Sequence, residues 1–186
     1  MQPGSAPHAT SRDAVDEILD QWAKVRPELD VSAMEVFGRL HRSFLLYRLG
    51  IITRFTEVGT TEPGFDVLAT LRRCGPGERL SAGELARQTL VTTGGLSLRL
   101  RRLEREGFLR RERDPDDQRT VYVELTDVGR ELVDKAADVH FENLTRMLEG
   151  LTPDEQQDLA RLLGRLYDSL RETGAAGEPL DDESPV

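Results

Sequence analysis

The chain has 186 residues, of which 38% are apolar and 32% are charged, as in a soluble, helix-rich globular domain with a substantial core. The net charge of −9 by itself argues against a nucleic-acid partner, but residues 81–119 hold nine Arg and seven acidic residues and so carry +2. Charge therefore permits DNA binding without establishing it. The sequence has no apolar run of about 18 residues and no signal-peptide layout, so we expect a cytoplasmic protein without a membrane span.

Because Cys74 is the single cysteine, no disulfide can form within the chain. A redox role for Cys74 would need a lowered thiol pKa and a resolving partner. The three histidines, at positions 8, 41 and 140, form no i,i+4 pair, so we predict no metal site and no cofactor. The sequence contains no Ser/His/Asp set, Gly-rich phosphate loop or paired-carboxylate site. We therefore predict that the protein is not an enzyme.

We predict a single domain over residues 10–173, flanked by disordered tails at 1–9 and 174–186 that are rich in Pro, Gly, Ser and acids. Helical periodicity dominates between the tails. Thr10 with Asp13 is predicted to cap a first helix.

Further along the chain, Ser32 with Glu35 is predicted to form a capping box for a long second helix. The dipeptide Pro63-Gly64 is interpreted as a break before a short third helix.

A helix-turn-helix is predicted in the middle of the chain. Ser81 and Glu84 form a capping box for a short helix that ends near Thr89. After a tight turn at Leu90-Val91, Thr92 can cap a second helix, which Gly107 terminates.

Two strand-like runs follow this helix, at residues 108–113 and 120–125, with a strong turn signal at 114–118 between them. Thr126 is then predicted to cap a long helix over about 127–149. Thr152 and Pro153 are predicted to begin the last helix.

This order, helix, turn, helix and β-hairpin, is typical of a winged helix-turn-helix. Small polar residues at the start of the second helix would let its backbone approach bases and phosphates, and arginines one turn later can reach phosphates or guanine edges. An arginine at the wing tip can enter a minor groove. Solvated basic residues on a helix face and on a turn are the structural alternatives. The residues predicted to contact DNA are Thr92, Thr93, Gly94, Gly95, Ser97, Arg101 and Arg119.

Three short motifs make the chain resemble the MarR family of transcription regulators. They are Leu103-Glu104-Arg105-Glu106-Gly107, Asp117-Gln118-Arg119 and Leu125-Thr126-Asp127-Val128-Gly129, and the flanking helices extend the resemblance to about residues 12–173. The resemblance implies a mainly α fold with a small β-wing. It implies a DNA-binding lobe at 65–125 and a homodimer, intertwined through helices at 10–58 and 127–173, that reads a palindromic operator on double-stranded DNA. The long apolar stripes of those helices agree with a partner chain.

The extra N-terminal helix with its tryptophan resembles the urate-responsive branch of this family. The residues that this resemblance implies for ligand binding are Trp22, Asp66, Arg99 and Arg111. A flat purine anion could stack on the indole and accept charge-assisted hydrogen bonds from two guanidiniums. The structural alternatives are a core tryptophan, a first-turn acid favoured by the helix dipole, and an arginine of the scaffold.

The sequence thus predicts a ligand-responsive transcription regulator. We expect a repressor that a small anionic effector, such as urate, releases from its operator. The alternative is a winged-helix DNA-binding or interaction module with no small-molecule effector.

Overall fold

The computed structural model describes residues 12–75, 79–89, 95–115, 117 and 120–174. The chain forms two compact units, one up to Leu49 and one from Gly50 onward. The elements, in chain order, are α1 (Ala14–Val25), α2 (Met34–Glu57), α3 (Glu62–Arg73), β1 (Leu80–Ser81), α4 (Ala82–Gln88), α5 (Leu96–Arg105), β2 (Leu109–Arg113), β3 (Val121–Leu125), α6 (Asp127–Met147) and α7 (Pro153–Glu172).

The N-terminal unit begins with a capped helix that is held against the first part of α2. The Asp13 carboxylate accepts hydrogen bonds from the N–H groups of Val15 (2.7 Å) and Asp16 (3.1 Å), and the Asp16 carboxylate accepts one from the Asp13 N–H (2.8 Å). Arg39 donates to Asp13 at 3.0 Å and to Asp16 at 2.8 Å. The capping residues of α1 therefore also hold α1 to α2 within this unit.

The predicted capping box at Ser32 is wrong. The Ser32 N–H donates to Asp30 Oδ1 at 2.9 Å in a local turn, and α2 begins only at Met34. The short Asp30 side chain competes successfully for the backbone here, as Asp does in turns.

The predicted break at Pro63-Gly64 is also wrong, because both residues lie in the first turn of α3. Thr61 is the N-cap, and its hydroxyl accepts a hydrogen bond from the Gly64 N–H at 3.2 Å. Proline fits there because the first turn of a helix leaves N–H groups without a helical partner in any case.

One apolar core organises the second unit. Phe55 packs on Phe65 with 4.8 Å between ring centroids. Complete burial of a large apolar side chain stabilises the fold by roughly 1.5–3 kcal/mol, so this core holds α3, α4 and α5 together against the sheet. Its other buried members are Ile51, Val67, Leu68, Leu71, Leu80, Leu85, Leu96, Leu100, Leu103, Leu109, Val123, Val133 and Ala136.

The strands form an antiparallel sheet in the order β1-β3-β2. Leu109 pairs with Leu125 in the hairpin, and Leu80 of β1 pairs with Val123. The sequence did not predict β1, because two residues are too few to show an alternating pattern. The predicted mainly helical fold with a small β-wing is confirmed.

The caps predicted for the last two helices are confirmed. Thr126 Oγ1 accepts a hydrogen bond from the Gly129 N–H (3.0 Å), and Thr152 Oγ1 accepts one from the Glu155 N–H (3.3 Å). No helix in the described part of the chain is long and apolar enough to cross a membrane. Although α7 has an apolar stripe, none of its residues is buried.

Candidate nucleic-acid interface and effector cavity

The candidate reading helix, α5, has one face in the core and the other in solvent. Leu96, Leu100 and Leu103 are at most 5% exposed, which anchors the helix. The residues exposed on its other face are Ser97, Leu98, Arg101, Arg102 and Arg105. Before it lies α4, whose predicted capping box is confirmed, since the Ser81 hydroxyl accepts the Glu84 N–H at 3.2 Å and the Glu84 carboxylate accepts the Ser81 N–H at 2.9 Å. The start of α4 is thus defined by its cap, and α5 is anchored by its leucines in the core.

Two arginines of the exposed face donate to backbone carbonyls. Arg101 Nε donates to the Ser97 carbonyl (3.3 Å), and Arg105 Nε donates to the Arg101 carbonyl (3.4 Å). Neither guanidinium pairs with a carboxylate of the described residues, whereas Arg102 pairs with Glu106 at 2.8 Å. This arrangement suits contact with phosphates or guanine edges. The predicted DNA-contacting set omitted Arg105, which is exposed on the same face of α5; its i+4 spacing from Arg101 could have indicated this.

The structure describes only part of the predicted DNA-contacting set. Ser97 and Arg101 are exposed on α5. Gly95 is the N-cap of α5 and is buried, and α5 begins at Leu96. Outside the described residues lie Thr92, Thr93, Gly94, Arg119 and the Leu90-Val91 turn.

The described residues of the wing tip form a turn that aspartates organise. The Asp117 N–H donates to Asp114 Oδ1, and the Thr120 hydroxyl donates to Asp117 Oδ2, both at 2.9 Å. The backbone closes the same turn, because the Asp114 N–H donates to the Thr120 carbonyl at 3.0 Å. The aspartate of the Asp117-Gln118-Arg119 motif therefore shapes the wing tip.

A charged pair joins the end of α5 to the base of the wing. Arg111 Nε on β2 donates to Glu104 Oε2 at 2.8 Å, and Arg111 Nη2 contacts the same oxygen. The Arg111 guanidinium holds the pKa of the Glu104 carboxyl below its ordinary value. Sequence reasoning placed Arg111 in a ligand site and did not predict Glu104 as its partner.

Close backbone contact joins the wing to α6. A Cβ added at Gly129 would lie 1.8 Å from the Phe108 carbonyl oxygen, so only glycine fits. The Thr126 N–H donates to that same carbonyl at 3.1 Å, and the Thr126 hydroxyl donates to the Gly107 carbonyl at 2.6 Å. The motif from Leu125 to Gly129 is thus a structural junction.

Arg99 faces a cavity of about 340 Å³ between α5 and the start of α3. Its Nη1 atom is buried, with no hydrogen-bond partner among the described residues. The guanidinium folds back over the N-cap of α5, so that a Cβ added at Gly95 would lie 2.8 Å from Nη1. The other residues that line the cavity are Gly59, Thr60, Thr61, Pro63, Gly64, Arg102, Leu103 and Glu106.

This cavity is suited to an anion. A cationic group over the N-terminal end of a helix is placed unfavourably against the helix dipole, and the first turn of α3 adds a second positive helix end. An anion at Arg99 Nη1 would therefore accept a hydrogen bond from a donor that has no partner among the described residues. Its negative charge would also be favourable next to the positive ends of α5 and α3.

The structure does not gather the whole predicted ligand set into this cavity. Arg99 lines it, but Asp66 and Arg111 do not. Asp66 is buried on α3, and Trp22, on α1 of the N-terminal unit, is 43% exposed. The four-residue site stays a prediction. Within the described ranges, no group of three or more His, Cys, Asp or Glu residues could hold a metal ion.

Comparison with known proteins agrees with this architecture. A sequence model of the MarR family matches residues 60–121. The HTH-type transcriptional regulator PecS of Dickeya dadantii is 36% identical over 152 residues, which are 82% of this chain and 92% of that relative.

Solved structures share the fold. Sco3205 of Streptomyces coelicolor, a MarR family transcriptional regulator in complex with DNA, superposes with a TM-score of 0.69 and 26% identity, over 83% of this chain and 96% of that one. BpsR of Bordetella bronchiseptica, whose DNA binding is regulated by 6-hydroxynicotinic acid, has a TM-score of 0.65 at 24% identity, over 73% of this chain and 95% of that one. The chain therefore belongs to the MarR family of DNA-binding transcription regulators.

Proposed function

We propose that this protein is a ligand-responsive regulator, a repressor that leaves a palindromic operator when a small anionic effector such as urate binds. The observation that carries the proposal is the arrangement of α5. Its leucine face is anchored in the core, its serine and arginine face is open, and Arg99 on the same helix faces an anion-suited cavity.

On DNA, the exposed face of α5 would enter the major groove, and the wing would follow the backbone toward the minor groove. Ser97 and Arg101 supply contacts to phosphates or base edges, and Gly95 contributes only its backbone. Thr92, Thr93 and Gly94 would approach the same groove, and Arg119 the adjacent minor groove.

A second copy of the chain would cover the apolar side chains that α2 and α7 expose. On α7, Leu162 is 51% exposed and Leu163 is 41% exposed; on α2, Phe44 is 49% exposed. Leaving so many large apolar side chains in water is unfavourable, and a twofold dimer buries the same stripe on both chains. The dimer would place two reading helices on the two half-sites of a palindrome.

The effector would act by linkage. A ligand lowers DNA affinity only if it binds the DNA-free arrangement more tightly. An anion that takes hydrogen bonds from Arg99 acts directly on α5. If it also recruits Arg111, it competes with Glu104 for that guanidinium and so changes the connection between α5 and the wing. An anion between Asp66 and an arginine would compete with Asp66 for that guanidinium. Trp22, in the N-terminal unit, stays a predicted stacking surface for a flat ligand.

The test is a DNA-binding titration by fluorescence anisotropy, with and without millimolar urate. For the wild-type protein we expect urate to weaken binding by about five- to 150-fold, the usual range of allosteric coupling. Arg99→Gln removes the charge but keeps a polar side chain, and should lose most of the response. Salicylate and 6-hydroxynicotinate serve as comparison ligands.

Each result decides a separate part of the proposal. If urate does not affect wild-type DNA binding, urate is excluded as the effector. If urate acts equally on Arg99→Gln, the Arg99 cavity is excluded as its site. If none of the three ligands changes DNA binding, the module without an effector is the better account.

A further inference from the structure

Leu98 is an exposed apolar residue on an otherwise polar surface of α5. It is 58% exposed, whereas Leu96, Leu100 and Leu103 on the same helix are at most 5% exposed. An exposed leucine is ordinary in itself. Here its position matters, because it lies in the first turn of the helix, where a recognition helix contacts base edges.

The surroundings of Leu98 argue against a protein partner at this point. Its exposed neighbours on the helix are Ser97 and the basic residues Arg101, Arg102 and Arg105, so among the described residues of α5 the exposed apolar surface amounts to one side chain. Protein interfaces need a much larger apolar core, and their centres are depleted of charge. A cationic surface with one exposed leucine instead suits a polyanion that presents one apolar group.

DNA presents such a group in its major groove. Thymine is the only standard base with a C5 methyl there, and an apolar side chain recognises it by contact. Leu98 shares a helix face with Arg101 at i+3, and the Arg101 Nε hydrogen bond to the Ser97 carbonyl (3.3 Å) directs that side chain back toward the first turn. Leu98 and Arg101 are thus on the same exposed face of α5, one turn apart.

We propose that Leu98 is a specificity residue that contacts the C5 methyl of a thymine in each half-site. The inference rests on the proposed function, because it requires α5 to enter the major groove. It goes beyond that function by naming the chemical group that is read and the side chain that reads it.

Deoxyuridine tests the contact, because it lacks only the thymine methyl and keeps every hydrogen-bonding group. Duplexes that the full-length protein selects from a random pool are resynthesised with deoxyuridine at each thymine in turn, and dissociation constants are measured by anisotropy. At one thymine of each half-site we expect wild-type binding to weaken about fourfold, which corresponds to one methyl group removed from an apolar contact.

Two variants separate this contact from a general loss of affinity. Leu98→Ala should bind the thymine and deoxyuridine duplexes equally, and Leu98→Met should keep the sensitivity of the wild type. Because the side chain is exposed, both variants should unfold within a few degrees of the wild type.

Two outcomes would overturn the proposal: no thymine in the selected sites is sensitive to deoxyuridine, or the fourfold penalty persists unchanged in Leu98→Ala. Failure of the wild-type protein to select any duplex would contradict the proposed function itself, which separates the two failures.

Discussion

Glu104 on α5 accepts a hydrogen bond from Arg111 on β2 at 2.8 Å, and this pair connects the reading helix to the base of the wing. The two elements that we expect in adjacent grooves of DNA are therefore coupled by one charged contact. The side chains are about one-third exposed, 35% for Glu104 and 32% for Arg111, so solvent, salt and an anionic ligand can all reach the pair.

The pair should contribute to stability in a pH-dependent way. Glu104→Gln should lower the free energy of unfolding at pH 7 by about 0.5–1 kcal/mol. The amount is small because solvent screens an ion pair whose side chains are about one-third exposed. The pKa of Glu104 is lowered in the folded state, so the contribution is present above the unfolded-state pKa of about 4.3 and is lost as pH falls through the folded-state value.

Urea unfolding of both proteins from pH 7 to pH 3 measures this contribution. The difference between wild type and Glu104→Gln should shrink in the most acidic part of that range. A difference that stays constant throughout would mean that the carboxylate charge does not stabilise the fold.

Gly129→Ala should be strongly destabilising. The added methyl would lie 1.8 Å from the Phe108 carbonyl oxygen, and this is backbone, which cannot turn aside like a side chain. We expect a loss of about 3 kcal/mol or more, at or above the upper end for overpacked sites. Gly83→Ala is the matched control, since Gly83 also lies in the first turn of a helix and its added Cβ would meet only the flexible Arg87 side chain at 3.8 Å.

Thermal unfolding of these two variants should give opposite results. Gly83→Ala should be neutral or slightly stabilising, because alanine reduces the entropy of the unfolded chain. Equal melting temperatures for Gly129→Ala and the wild type would show that the wing and α6 are not in close contact.

The exposed stripe on α7 should be a dimer contact. Leu163→Glu places a charge on the stripe and should convert a micromolar dimer into monomer. Gln157→Glu adds the same charge outside the stripe, about 120° around the helix from Leu163 at 100° per residue, and should leave the dimer intact. Light scattering of the three proteins at matched concentration decides this point, and a wild-type monomer at micromolar concentration would exclude the proposed assembly.

Local chemistry made several features predictable from sequence. The caps at Ser81, Thr126 and Thr152 each depend on residues three positions apart, and all three form as predicted. The same reasoning failed at Ser32, because Asp30 offers the backbone a competing turn. A sequence pattern alone does not show which of two nearby side chains forms the hydrogen bond with the backbone.

Contacts between distant residues were not predictable in this way. Glu104 meets Arg111, and Gly129 meets the Phe108 carbonyl, only because the β-wing folds back on the helices. The motifs singled out Glu104 and Gly129, but only three-dimensional packing shows that these residues hold the wing against the helices. The cavity beside Arg99 likewise combines α3 with α5, which no single-segment pattern contains.

DNA binding through α5 is tested most directly by the operator affinity of Arg101→Ala at two or more salt concentrations. We expect a loss of about 1–3 kcal/mol and a salt slope reduced by about 1, with Arg105→Ala behaving similarly. Arg161→Ala on α7 removes the same charge outside the winged-helix region and should bind like the wild type. If Arg101→Ala and Arg105→Ala both bind the operator as tightly as the wild type at matched salt, α5 does not present the DNA-reading surface.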